Sequence, residues 1–300
     1  MKYFTAFLFL TIVQLGFGQV GDAIAIPGTK CRIVAPEGFE IATNFTGLQN
    51  NSNGASIMIN ELPTSYMQMR DQFTKEALLS RGMTMTGKTQ VAHNGTMATL
   101  ISITQPSNGT IYQKQMLMFG DANRTVMING IYPEEVSETL AAAIKKALLS
   151  VTYDMEQEAN GEAAAPFEID VTGTDYKFAN NFTGSLTYNT TGVTPSEGPS
   201  IIVALSIGFV DATDKKKYAM SRLLKLPGFA KATVRSTEPI TVDGIEGYEI
   251  VADDKQSGEI VYQMMLFYDD SQYAIFLGLA EKDETAIADF KRIARTFKVK

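Results

Sequence analysis

Hydrophobic and polar positions along this chain fall into a few short patterns, and each pattern occurs twice. Ser56-Ile57-Met58-Ile59 and Ser200-Ile201-Ile202-Val203 are brief apolar runs bounded by Asn- and Gly-rich stretches, as buried strands are. Met97-Ala98-Thr99-Leu100-Ile101 and Tyr248-Glu249-Ile250 alternate with period two, the mark of a strand with one face in a core. Helical spacing appears between them. Tyr66, Met69, Phe73 and Ala77 predict a helix ending before Gly82-Met83. Ala219, Leu223 and Leu226, less regular, predict its counterpart before Gly228-Phe229. Val136, Leu140, Ile144, Ala147 and Val151 predict a helix closing the first half, and Ile287, Phe290, Ile293 and Phe297 one closing the second. Pro133 with Glu134 and Glu135 suits the start of the former, Lys145 and Lys146 its end, and Asp283 the cap of the latter.

Turn residues join these runs in one order. Asn94-Gly95 and Asp243-Gly244 are dipeptides preferred where both central residues of a tight hairpin need positive φ. Asn108-Gly109 and Ser257-Gly258 precede Ile111-Tyr112-Gln113 and Val261-Tyr262-Gln263, which align with each other. Gly120-Asp121 and Asp269-Asp270 then turn each chain into a last strand. The tetrapeptides Asn44-Phe45-Thr46-Gly47 and Asn181-Phe182-Thr183-Gly184 open the two series. The separation of matched positions grows from the tetrapeptides to the Asn-Gly and Asp-Gly turns and does not reverse, as expected for duplicated domains that diverged by loop insertion. Solenoid repeats recur every ~20–50 residues, so this longer period predicts two globular copies. Successive hairpins imply antiparallel sheets, and amphipathic helices must cover their apolar faces. The expected architecture is α+β: two copies of an antiparallel sheet flanked by helices, at residues 19–154 and 167–300. Between them, residues 155–166 contain Glu-Gln-Glu-Ala-Asn-Gly-Glu-Ala-Ala-Ala-Pro, with no large apolar side chain after Met155. That composition predicts a linker that cannot bury itself.

Residues 1–18 read as an export signal. Met1-Lys2 is positive, Ala6 to Leu15 is apolar apart from Thr11 and Gln14, and Gly16-Phe17-Gly18 places small residues for cleavage before Gln19. The alternative is an N-terminal anchor that is never removed. The run is short for a bilayer and no second apolar span follows, so a secreted or periplasmic protein without a transmembrane segment after signal removal is expected.

Net charge is −7, from 26 basic and 33 acidic residues, and Glu156, Glu158, Glu162 and Glu168 supply four of the acids in a stretch without a base. An acidic chain with no basic patch is a poor nucleic-acid binder. Lys215-Lys216-Lys217, the one run of bases, follows Asp211 and Asp214 and suits a solvated helix face. Cys31 is the only cysteine, so no internal disulfide and no thiolate metal cluster forms, and its apolar surroundings predict a buried strand residue.

No catalytic constellation is recognisable. His93, the single histidine, adjoins the Asn94-Gly95 turn, where an exposed tip is expected, and no Gly-x-Ser-x-Gly elbow occurs. One histidine and one cysteine do not make a conventional zinc site. Asp253-Asp254, Asp269-Asp270 and Glu134-Glu135 lack calcium-loop spacing and read as turns or a helix start. A carboxylate hydrolase would need two acids converging in a cleft, which sequence does not place. No cofactor fingerprint appears. Met67-Gln68-Met69, Met83-Thr84-Met85 and Met116-Leu117-Met118 are three Met-x-Met pairs. Thioethers are soft Cu(I) ligands, although Met also fills irregular cores, and Met69 and Met118 fall in segments expected to be buried.

Ala35-Pro36-Glu37-Gly38-Phe39, the hairpin phrase from Gly54 to Pro63, and Gly130-Ile131-Tyr132-Pro133 resemble the PsbP-like superfamily, which includes DcrB-type envelope proteins and Mog-type domains. The second half lacks the first and last of these phrases. The resemblance implies a tandem of layered domains in an exported bacterial protein. It implies an accessory or binding role without a shared catalytic centre, and it assigns no site residue. It also favours reading Asn44, Asn94, Asn108, Asn123, Asn181 and Asn189, all in Asn-x-Thr sequons, as turn and strand residues and not as glycan acceptors. Three readings of function follow: a non-enzymatic accessory protein binding an envelope protein or ligand, a small-molecule or Cu(I) carrier, and a carboxylate hydrolase.

Overall fold

The chain runs through short pairing strands β1 (Ile24–Ala25) and β2 (Cys31–Ile33), then β3 (Glu40–Ile41), β4 (Gly47–Asn50) and β5 (Ala55–Leu62). Helices α1 (Tyr66–Gln72) and α2 (Lys75–Leu79) follow, then β6 (Thr84–His93), β7 (Thr96–Ser107), β8 (Thr110–Gly120), β9 (Thr125–Pro133), α3 (Ser137–Ser150) and β10 (Thr152–Tyr153). The second half contains β11 (Phe167–Glu168), β12 (Lys177–Phe182), β13 (Ser185–Asn189), β14 (Ser200–Leu205), α4 (Lys215–Leu223), β15 (Thr233–Val242), β16 (Ile245–Asp253), β17 (Glu259–Phe267), β18 (Tyr273–Glu281), α5 (Glu284–Ala294) and β19 (Lys298–Val299). This computed structural model describes residues 22–300 except 108, 158, 196–197, 207–211, 255–256 and 282–283. The export signal, Asn108 of its turn, Glu158, Asp211 and the cap Asp283 lie outside the described residues.

Two seven-stranded antiparallel sheets share one strand order, β3-β4-β5-β9-β8-β7-β6 and β12-β13-β14-β18-β17-β16-β15. The protein is α+β, with each sheet flanked by helices. In both halves the opening segment pairs with the strand after the terminal helix: β2 with β10, and β11 with β19. Cys31 is fully buried in β2, as its apolar surroundings predict.

Pairing registers match the sheets residue by residue. Ile57 pairs with Gly130 and Ile201 with Gly278. Leu100 pairs with Leu117 and Glu249 with Met264. Two expectations need correction. Gln115 faces Gly130 as Tyr262 faces Gly278, so Tyr112 and Tyr262 are not equivalent. The separation of matched positions therefore does reverse, between Leu100/Glu249 and Leu117/Met264, because the β7–β8 hairpin is longer than the β16–β17 hairpin.

Both faces of each sheet are apolar. Alternation places Leu100, Leu117, Phe119, Val126 and Ile128 under α3, and Ile101, Ile103, Met116 and Met118 under α1 and α2. The second sheet repeats this, with Tyr262, Met264 and Phe276 under α5 and Ile250, Val261 and Met265 under α4. Ile144 and Ala147 of the first terminal stripe and Ile287, Phe290, Ile293 and Phe297 of the second are buried. The helix expected to run from Tyr66 to Gly82 is broken. Thr74 Oγ1 accepts from Ala77 N at 3.1 Å and caps a new helix, so Leu78, not Ala77, is the buried anchor.

The hairpin dipeptides behave as read. Asn94 and Gly95 have φ of 45° and 76°, Asp243 and Gly244 of 52° and 75°. Asp121 Oδ1 closes its turn by accepting from Asn123 N and Arg124 N, as Asp269 Oδ1 does from Ser271 N and Gln272 N.

Gly130 and Gly278 have a packing role. A Cβ on Gly130 would lie 2.3 Å from Ile144 Cγ2, and one on Gly278 2.3 Å from Phe290 Cγ. Each terminal helix rests directly on the backbone of the last strand. Gly130→Ala and Gly278→Ala are each expected to cost about 1–3 kcal/mol by overpacking, read as a lower urea midpoint. Gly87→Ala, whose Cβ would sit 3.7 Å from Ser102, should leave the midpoint within about 0.5 kcal/mol.

Candidate functional site at the junction of the two sheets

The two Asn-Phe-Thr-Gly tetrapeptides touch each other. The second is a hairpin tip: Phe182 pairs with Ser185, and Thr183 and Gly184 take φ of 54° and 82°. Asn181 Oδ1 accepts from Gly184 N at 2.9 Å and holds that turn. The first tetrapeptide is the loop between β3 and β4, with Ala42 N donating to Gly47 O and Ile59 N to Thr46 O. Across the junction Thr183 Oγ1 donates to Asn60 Oδ1 at 2.6 Å and Asn44 Nδ2 to Ser206 O at 2.9 Å, with a longer contact from Thr46 Oγ1 to Asn181 Oδ1 at 3.4 Å. Phe45 is buried, and a Cβ on Gly184 would lie 2.8 Å from its Cα. Sequence marked these residues only as the openings of two matching series. Nothing in a turn's composition says what its tip will meet.

A small, partly open cavity of about 80 Å³ remains between the loops, walled by Phe45, Thr46, Ala165, Pro166, Asn181 and Gly184. It has room for solvent, not for an organic ligand. Beside it lies an open groove of about 630 Å³, formed by Lys30, Glu156, Gln157, Ala159, Asn160, Glu162 and Phe178. It is broad and open to solvent, a surface depression and not an enclosing cleft.

The wall of this groove is the segment read as a linker that cannot bury itself, and part of it is nonetheless buried. Gly161 and Ala165 are buried. Asn181 Nδ2 donates to Gly161 O, Tyr188 Oη to Glu162 Oε1, Gln157 Nε2 to Thr29 O and Lys300 Nζ to Ala163 O, all within 2.8–3.0 Å. Small residues and backbone carbonyls dock where no large apolar side chain is available. Burial, with Glu162 beside it, pushes the Tyr188 phenol up.

Two buried or half-buried carboxylates, Glu61 and Glu249, are each tied within one half. Glu61 accepts from Lys30 N at 2.6 Å and from Tyr153 Oη at 3.0 Å, and the Arg124 guanidinium lies 4.2 Å above the Tyr153 ring. Burial, followed by the Glu61 charge, pushes the Tyr153 phenol up to about 12, and the same two causes raise the Cys31 thiol. A buried, protonated thiol is a poor nucleophile. In the second sheet Glu249 accepts from Tyr262 Oη at 2.9 Å and pairs with Arg295 at 3.1 Å and Lys291 at 3.8 Å. Glu134 and Glu135 form a single 3-10 turn before α3. Asp253 is paired with Arg235, and Asp254 Oδ2 accepts from Ser257 N. Among the described residues no group of three or more His, Cys, Asp or Glu gathers as a metal site.

His93 departs from its expected exposed tip. It is 3% exposed, its ring centroid 4.5 Å from that of Phe119. The tip folds inward because Asn94 Nδ2 donates to Val151 O at the end of α3 at 2.8 Å. Burial lowers the pKa of the imidazole. Of the methionine pairs, Met69, Met83, Met85, Met116 and Met118 enter one cluster with Met127, whereas Met67 is 51% exposed and outside it.

No protein-family model matches this chain, and no curated protein is similar enough to match. Solved structures with similar folds include cyanobacterial PsbP (CyanoP) from Synechocystis, at 10% identity and a TM-score of 0.34, covering 46% of this chain and 95% of that one. LpqN of Mycobacterium tuberculosis, involved in cell envelope biogenesis, is 13% identical, with a TM-score of 0.31 over 46% of this chain and 87% of its own. The immunity protein TplEi from Pseudomonas aeruginosa is 11% identical, with a TM-score of 0.33 over 92% of this chain and 97% of its own.

Two outcomes follow. Gly184→Ala pushes a Cβ into Phe45 and holds a non-glycine residue at positive φ. It should cost about 1–3 kcal/mol and speed proteolytic cleavage within residues 155–166; unchanged cleavage would mean that the junction does not hold the segment. For His93, the unfolded imidazole, at the ordinary 6.5, takes up a proton before the folded one does. Its contribution is therefore intact above pH 6.5 and is lost as pH falls through the lower folded value. The urea midpoint should drop between about pH 7.5 and about pH 5.5. In His93→Gln, which leaves no histidine, that drop should be absent.

Proposed function

We propose that this chain is an exported, non-enzymatic accessory protein of the bacterial envelope that binds a protein or another envelope component across its two halves. The observation that carries the reading is the groove at the junction, whose walls come from the first half, residues 156–162 and the second half together. Lys30, Glu156 and Glu162 give that groove mixed charge around Phe178, which suits a polar, protein-like surface more than a small apolar molecule. The halves are read as two PsbP-like domains, 19–154 and 167–300, with 155–166 as a docked connector. Support comes from the shared strand order and from the pairing of each half's opening segment with its closing strand. Secretion or residence in the periplasm rests on the leader read in residues 1–18. Among the described residues no helix is long and apolar enough to cross a membrane. The non-enzymatic reading is supported by His93 and Cys31 being packed in the core and by Glu61 and Glu249 being engaged in separate halves.

Mild crosslinking in the native envelope, followed by purification, tests the proposal. One stoichiometric partner is expected. Ala159→Arg, at an exposed groove position whose side chain makes no hydrogen bond, should reduce its recovery at least about tenfold without moving the urea midpoint. Repeated recovery of no partner, or equal recovery by the variant, would overturn the assignment to this groove.

A further inference from the structure

The face of the first sheet under α1 and α2 collects six methionines from separate parts of the chain. Met69 comes from α1, Met83 from the residue just before β6, Met85 from β6, Met116 and Met118 from β8, and Met127 from β9. Met118 and Met127 are direct cross-strand partners, so their side chains leave the same face with Cβ atoms about 5 Å apart. Helix α1 packs over β8 and β9, and its Met69 belongs to the same cluster as that pair. Met118 is fully buried, while Met69 and Met127 are half-buried, so the cluster is reachable from one side.

The second sheet is an internal control for what this layer needs in order to pack. Pairing register places Met265 where Met118 stands, Ile275 where Met127 stands and Gln263 where Met116 stands. Its helix-covered face closes with Phe229, Phe267, Tyr273 and Ile250. A helix can therefore be seated on this sheet without a concentration of thioethers, and filling the layer does not by itself account for six of them.

We infer that Met69, Met118 and Met127 form a Cu(I) site, with Met83, Met85 and Met116 as a surrounding thioether shell. Uncharged sulfur ligands select a soft monovalent ion over Mg²⁺, Ca²⁺ or Zn²⁺, and the polar group across from Met118, Thr99 Oγ1, is already engaged by Tyr66 Oη and Gln90 Nε2. Two ammonium groups share this face and would oppose a cation: Lys114, two residues from Met116, and Lys88, whose Nζ donates to Arg70 O and Phe73 O at the end of α1 at 3.0 and 2.9 Å. Lys88 stands on the Met116 rung and Lys114 one beyond it, neither on the Met118–Met127 rung. Cys31 and His93 belong to the opposite side of the sheet, so neither supplies a ligand. Thioethers carry no proton to lose, and binding here should be flat with pH, unlike binding at a thiolate or imidazole site. The inference is independent of the groove at the junction.

The test is anaerobic titration of the purified full chain with Cu(I) against a chromophoric Cu(I) chelator. One Cu(I) per chain is expected, with equal affinity at about pH 6 and about pH 8. The volume-conserving double variant Met118→Leu/Met127→Leu should bind at least about tenfold more weakly. Met67→Leu, outside the cluster, and Cys31→Ser should bind as the parent does. Copper X-ray absorption should show sulfur neighbours only. No binding by the parent, unchanged binding by a folded double variant, or loss of binding in Cys31→Ser would each overturn the assignment. Should the double variant fail to fold, Met69→Leu on the half-buried α1 replaces it, with the same expected loss.

Discussion

A helix can lie flat against a sheet only as closely as the side chains beneath it allow. In both halves the last strand presents a glycine at the point of closest approach, Gly130 under Ile144 and Gly278 under Phe290. Removing one Cβ lets a large apolar side chain reach the backbone and seal the central rungs of the sheet. Around that contact the helix face is fixed by Ala147 and Leu148 in α3, and by Ile287, Ile293 and Ala294 in α5. The segment after each helix is then placed to pair with the opening of its half. The shared strand order, the closed ends and the apolar inner layer all require the helix to sit at that depth.

The opposite faces carry no such constraint, and they have diverged. In the first half two short helices cover a methionine-rich surface. In the second a single nine-residue helix covers an aromatic one. The same freedom appears at the edges. The β12–β13 hairpin runs farther past the sheet than the β3–β4 loop, and its tip reaches Asn60 and Phe45 of the other half. Hydrogen bonds of this kind contribute about 0.5–1.5 kcal/mol each, more when the alternative is a buried acceptor without a donor. Two well-formed bonds, the buried Phe45 ring and the docked residues 160–165 are the contacts that join the halves.

Strands, hairpin turns and terminal helices were legible because each is a local signal. Alternation, Asn-Gly chemistry and the spacing from Ile144 to Val151 depend only on neighbours in sequence. Long-range outcomes were not legible. His93 is buried because Asn94 reaches Val151, a contact between residues far apart in the chain. Residues 160–165 dock through backbone carbonyls, which every residue carries, so composition gave no hint of it. The misaligned tyrosines show a limit of a different kind. Tyr112-Gln113 and Tyr262-Gln263 match as letters, yet their pairing partners place them on different rungs. The broken first helix turned on Thr74, a residue equally at home inside a helix or capping one.

The methionine pairs separate local from long-range information most sharply. Sequence offered three equivalent pairs, and period-two spacing within a strand supports only the statement that Met116 and Met118 share a face. The fold then rejected Met67, admitted Met127, which belongs to no pair, and set it directly across from Met118. A packing role alone would predict similar residue types at matched rungs of two sheets with one strand order, as Met118 and Met265 are. Met127 against Ile275 and Met116 against Gln263 break that match. Flexible thioethers specify a core less well than branched or aromatic side chains, so replacing the latter with the former sacrifices order. The face under α1 and α2 thus carries flexible side chains where the second sheet carries branched and polar ones, and packing alone does not account for where they stand.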